Sequence, residues 1–328
     1  MRRVLWLAVL LVAGMGALWV GGESWLAGQA QKVISAQPAL DAGEVRPLRD
    51  PRRIGIRIDQ PGYQDGVMSL SLPWADLWIS PLKPQETRLT LPDRGVLRLG
   101  AQEHDLTMQR AEGLVRQPLL GGPVARADLR VEGLALDGRA VLETLDLRVR
   151  EGALAQDAPA GAVSVYDAAL SLRDFAGDRL LLPGLPPLPV SGGMSLEGSL
   201  RLWLDQEVAV QTLAGPVPPR LMGVETGDLV LQLGDHRARI SGRIQPDAAG
   251  RAEGKVAIQT ENAQAILDAA FDSGLLPASG RFLARSMLSR LSRGSGPEGG
   301  ELRLSLTMRD GRMMLGPVPL GAAPMFPG

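Results

Sequence analysis

The side chains that most often do chemistry are sparse in this chain. Its two histidines, His104 and His236, sit in Glu103-His104-Asp105 and Asp235-His236-Arg237. A hydrolase or transferase needs a nucleophile beside a base, or a metal cluster. Each triplet reads instead as a turn carrying a solvated imidazole. Ser164, Ser195 and Ser199 lie on the polar side of alternating segments, without a G-x-S-x-G elbow. Gly192-Gly193 and Gly294-Ser295-Gly296 lack the Lys-Ser/Thr ending of a phosphate loop. Cysteine is absent, so there is no disulfide, thiol nucleophile or cysteine metal site. Carboxylates alternate with arginines, as in Asp128, Arg130 and Glu132, the pattern of a solvated strand face. The expectation is a non-enzyme with no catalytic residue, no metal and no cofactor.

What the chain has in quantity is aliphatic surface. Hydrophobic residues make up 45% and aromatics only 4%, so the apolar faces consist of Leu, Val, Ile and Ala, with few rings to stack on a sugar or base. A net charge of -1 provides no field for nucleic acid, which is excluded as a partner.

The elements that position these faces are mostly strands. Period-two alternation starts at Ile54-Gly-Ile56-Arg-Ile58 and recurs at Met68 to Leu72, Leu89 to Leu91, Leu97 to Leu99, Ala127 to Val131 and Leu145 to Val149. Gly62, Pro73, Pro81, Pro84 and Asp93-Arg94-Gly95 read as the turns between short antiparallel strands. A change of phase at Tyr166-Asp167, before Leu170-Ser-Leu172, suggests a bulge. Four prolines in 183–193 break the ladder. Beyond them Met194, Leu196, Leu200, Leu202 and Leu204 face one way, with Glu197, Ser199, Arg201 and Trp203 on the other. Asn262 is placed to cap a helix that buries Ile266, Leu267 and Phe271, and a second helix over 280–293 places Leu283, Met287 and Leu291 inside with Arg281, Arg285 and Arg290 outside.

Met1-Arg2-Arg3 followed by the uncharged run Val4 to Val20 reads as a membrane anchor with its N-terminus in the cytoplasm. The alternative is a signal peptide cleaved after Gly28-Gln29-Ala30. The expected organisation is an anchor over 1–22, a juxtamembrane helix and polar linker over 23–53, a first β half over 54–182, the Pro-rich break over 183–193, and a second β half over 194–328 containing the helical pair 262–293.

The segment Thr260 to Asp268 before a helical pair, and the ending Arg309-Asp-Gly311-Arg-Met-Met-Leu-Gly316-Pro-Val-Pro-Leu-Gly321, resemble an alphaproteobacterial family catalogued only as a domain of unknown function. The architecture is more distantly similar to AsmA-like envelope proteins, a resemblance that implies an inner-membrane-anchored β-groove handling lipid.

The fold expected is mainly β: an N-terminal transmembrane helix, then a long curved antiparallel sheet, groove or sandwich, with two short C-terminal helices. The leading function is a single-pass inner-membrane protein with its body in the periplasm, binding or conducting lipid or another aliphatic ligand. Leu200, Leu202, Leu204, Ile240, Ile244, Val256 and Ile258 are the candidate groove lining. The alternative is an envelope scaffold or assembly adaptor with a closed β core and a protein partner.

Overall fold

The computed structural model describes residues 40–326 apart from 51, 67, 119–121, 177–192, 210–218, 273–279 and 287–301, together with 24, 27, 28 and 31. The anchor over 1–22 and the Pro-rich break lie outside the described residues. Among those described, no helix is long and apolar enough to cross a membrane.

Among the described residues twenty strands form one antiparallel sheet. The first ten are β1 (Leu40–Asp41), β2 (Val45–Pro47), β3 (Ile54–Asp59), β4 (Gly62–Asp65), β5 (Met68–Ser71), β6 (Trp74–Ser80), β7 (Lys83–Thr90), β8 (Arg94–Leu99), β9 (Gln102–Thr107) and β10 (Arg110–Arg116). The rest are longer on average: β11 (Arg126–Leu136), β12 (Arg139–Glu151), β13 (Ser164–Phe175), β14 (Met194–Leu204), β15 (Leu221–Leu233), β16 (His236–Pro246), β17 (Ala252–Thr260), β18 (Leu302–Arg309), β19 (Arg312–Leu315) and β20 (Val318–Ala322). From β10 to β20 each strand pairs with its successor in the chain.

The first ten strands are not a meander of short pieces, as the turn residues suggested. They join end to end into long bent strands. The β3/β6 pairing that ends at Asp59↔Trp74 resumes in step as Gly62↔Ser71 between β4 and β5. Pro61 and Pro73 sit at this bend, where Gln60 N donates to Pro73 O and Leu72 N to Pro61 O. Proline cannot donate to a ladder, yet with its neighbours' amides still paired the strand bends and continues. The line runs on through Leu91 N to Ala111 O, Met108 N to Asp93 O and Gln109 N to Glu132 O. Strand β11 crosses it unbroken, pairing with β10 before the bend and β9 beyond it. Folding at this line encloses Leu72, Leu97, Leu106, Met108, Leu136 and Val141 in a core. Corners made by bends and bulges are how a sheet packs on itself. Residues 40–47, expected as linker, belong to the edge of this sheet through β1 and β2.

Strand β15 carries a bulge at Gly227-Asp228, seen as a register shift against both β14 and β16. The Asp228 carboxylate fills the broken ladder by accepting from Ser199 N and Ser199 Oγ. Strand β13 has no bulge at Tyr166-Asp167; its pairing to β12 is continuous. The apolar–polar alternation lapses in the sequence because both faces are buried there. Val165 and Trp203 are each 2% exposed on the polar side, beneath the loop 152–163, and Tyr166 is 3% exposed on the other.

Helix α1 (Ala263–Asp272) is capped as the sequence implies, Ala265 N donating to Asn262 Oδ1. It buries Leu267 and Phe271 against Leu304, Met308, Met313, Leu315 and Leu320. Residues 281–286 form the second helical segment. Here the expected facing is corrected: Leu283 is 47% exposed and Ala284 is fully buried.

Candidate functional site

Strands β2, β3, β6, β7 and β10 to β19 direct aliphatic residues to one common face, and pairing aligns them into rows. One row runs Pro47, Ile56, Leu77, Leu89, Gly113, Leu129, Leu147, Leu170 and Gly198. Nine strands at about 4.8 Å spacing make it roughly 40 Å long. Another runs Tyr166, Leu202, Val224, Ile244, Gly254, Met308 and Met313.

All seven sequence-derived candidates lie on this face and are half-buried. Leu202 and Ile244 share the second row through Val224, while Ile240 is directly opposite Ile258. Val256 faces Gly242, and Leu204 faces Leu221. The face divides by cover. Ile244, Val256 and Ile258 pack on the cluster held by α1, so much of their surface is already spent on the protein's own core. Leu200 and Leu202 belong to no such cluster. Neither do Leu77, Leu129, Leu147 and Leu170, which sequence reading did not nominate although each stands in the same alternation. Among the described residues, the stretch of this face outside any cluster thus lies near the middle of the sheet.

The end of the uncovered face at Tyr166 is closed by the chain after β14. Ser164, expected in solvent, is buried and donates through Oγ to Gln206 O at 2.7 Å, and Val124 N donates to Val208 O. Burial pushes the Tyr166 phenol above its ordinary pKa, with the Val208 amide opposing.

The opposite face is a charged ladder that largely neutralises itself. Arg126 pairs with Asp128, Arg130 with Glu132 and Arg148 with Asp146, at 2.6, 2.6 and 2.9 Å. Hydrogen bonding to the Asp128 carboxylate raises the Arg126 guanidinium above its ordinary pKa, and Glu112 does the same for Arg110. A depression of about 730 Å³ opens on this face among Arg130, Arg148, Arg173 and Arg237. None of the seven aliphatic candidates lines it.

His104 Nδ1 lies 2.8 Å from Asp137 Oδ2, and His236 Nδ1 lies 3.3 Å from Asn262 Nδ2. Each imidazole therefore ties a turn or cap to its neighbour. Among the described residues no group of His, Cys, Asp or Glu is arranged to hold a metal ion. Chemically, a face of half-buried aliphatic side chains offers apolar contact, in which each methylene taken out of water contributes about 0.8 kcal/mol.

No curated protein and no solved structure matches this chain. A family model does, the one described as an uncharacterized protein conserved in bacteria (DUF2125), over residues 51–324. That span takes in the sheet from β3 to β20 and both helical segments, and the chain belongs to this bacterial family.

Proposed function

We propose that this protein is an envelope protein, tethered to the inner membrane by its N-terminal run, that holds lipid or another long aliphatic molecule on the apolar face of its sheet. The observation that carries the reading is the row from Ile56 to Leu170, aligned by pairing across seven strands and outside the α1 core. A sheet face of half-exposed leucines needs a second layer. An acyl chain of a dozen carbons supplies one, at about 0.8 kcal/mol per methylene.

The test is to purify the full chain from bacterial membranes in a mild detergent and identify organic-extractable lipid by mass spectrometry. The reading expects lipid in near-stoichiometric amount, reduced several-fold in Leu147→Glu/Leu170→Glu, and a wild-type protein free of lipid refutes it. A scaffold or adaptor role rests on the other face, on the depression among Arg130, Arg148, Arg173 and Arg237. Its closed core is replaced by an open sheet, and a protein partner retained after lipid extraction is the result that favours it.

A further inference from the structure

Arginines on the charged face follow a pattern, and one place breaks it. Arg110 meets Glu112, Arg126 meets Asp128, Arg130 meets Glu132 and Arg148 meets Asp146, each carboxylate two residues away on the same strand. Side chains alternate between faces, so that spacing puts both groups on one side. At Arg116 the corresponding positions hold Leu114 and Pro118, and at Arg150 they hold Arg148 and Gly152. Among the described residues neither of these exposed guanidiniums has an ion-pair or hydrogen-bond partner.

Pairing sets the two on either side of Arg126, Arg116 opposite it on β10 and Arg150 opposite it on β12. Like charges directly opposite destabilise a sheet, yet three guanidiniums stand side by side. The carboxylates at the ends of this row are engaged elsewhere. Glu86, opposite Arg116, reaches Arg88 at 3.3 Å, and Asp167, opposite Arg150, reaches Arg201 at 2.8 Å. With Gln85, Gln117, Pro118 and Ala125 the three arginines line a depression of about 580 Å³, and among the described residues no carboxylate lines it. The larger depression around Arg173 differs, because Asp146, Glu197 and Asp228 line it as well.

Arg116 and Arg150 are two strand spacings apart, about 10 Å at the backbone, so both side chains reach one group placed between them. A phosphate suits the row, since its oxygens accept forked N–H pairs and its charge offsets the repulsion. Gln117 in the same depression buries Oε1 with no hydrogen-bond donor, and a hydroxyl beside the phosphate supplies one. We propose that Arg116, Arg126 and Arg150 bind a glycerol phosphate group, free or as the head group of a lipid. The site is on the face opposite the apolar rows and does not depend on whether those rows hold lipid.

The test is titration calorimetry on the full chain in a neutral detergent, with glycerol phosphate in one arm and dihexanoylphosphatidylglycerol in the other. The expected result is saturable binding in at least one arm, weakened about tenfold or more in Arg116→Gln/Arg150→Gln. Binding of both probes supports a site for the ester itself, and binding of the acylated probe alone supports a lipid head group. Arg237→Gln/Arg239→Gln removes the same charge from the same face and should bind as wild type does. Because Arg116 and Arg150 are exposed and unpaired, their loss should leave the urea midpoint unchanged or slightly raised. No binding in either arm overturns the proposal. So does binding undiminished in Arg116→Gln/Arg150→Gln, or equal weakening in the two double variants.

Discussion

Replacing Gly242 by alanine tests whether the close approach of β17 to β16 is built into the backbone. Gly242 has φ +151°, and a Cβ there would overlap the Lys255 carbonyl oxygen and lie 2.7 Å from Val256 Cα. Both are backbone atoms of the neighbouring strand, so no rotamer change relieves the clash. The unfavourable backbone region costs about 1–3 kcal/mol, and forcing an extra methyl into packed surroundings costs about 1–3 kcal/mol more. Gly242→Ala should therefore lose about 2–6 kcal/mol. Gly227 lies in the bulge of the next strand with no atom within 4 Å of an added Cβ. Gly227→Ala should stay within about 0.5 kcal/mol of wild type or gain slightly, because alanine restricts the unfolded chain. Urea unfolding of the full chain, followed by tryptophan fluorescence and far-ultraviolet circular dichroism, gives both midpoints. Equal midpoints for Gly242→Ala and wild type, or equal losses for the two variants, would refute the reasoning.

Two further outcomes are expected. Asp76 is 2% exposed and receives Arg57 Nε and Nη2 at 2.6 and 2.7 Å. Arg57→Met should cost about 2 kcal/mol in urea unfolding, less than a fully buried pair because Arg57 is partly exposed, and Arg57→Met/Asp76→Leu should recover most of it. The His104 hydrogen bond, then the Asp105 amide, hold the Asp137 carboxyl below its ordinary value of 3.8. A lowered pKa stabilises fully above that ordinary value and is lost as pH falls through the folded one. The urea midpoint of Asp137→Asn should accordingly fall less than that of wild type as pH drops below about 4, and parallel curves would contradict the assignment.

Much of the fold is legible because strand alternation is a local signal. Leu200, Leu202 and Leu204 share a face simply because side chains repeat every two residues, and Asn262 marks its helix by cap chemistry alone. What is not legible depends on distant partners. Pro73 looks like the end of a strand, and only its pairing with Gln60 shows that the strand bends and continues. Val165 and Tyr166 read as a bulge since the loop 152–163 covers one face and the segment after β14 the other. Leu283 looks like a core residue by spacing, but Gly280 and Ala284 take the contact with Leu320. The seven aliphatic candidates do share one face, but no sequence signal tells which part of a long apolar face α1 will cover.

The most direct test of the central claim exploits the opposite facing of adjacent residues. A photoreactive amino acid is placed in the full chain at Leu202 or Leu170, on the apolar face, and at Arg201 or Ser171, on the charged one. Bacteria are grown with radiolabelled phosphate and acetate and irradiated. The account expects a labelled lipid adduct at 202 and 170 and several-fold less at 201 and 171. Absence of adduct at both apolar positions, or equal labelling of the two faces, would contradict it.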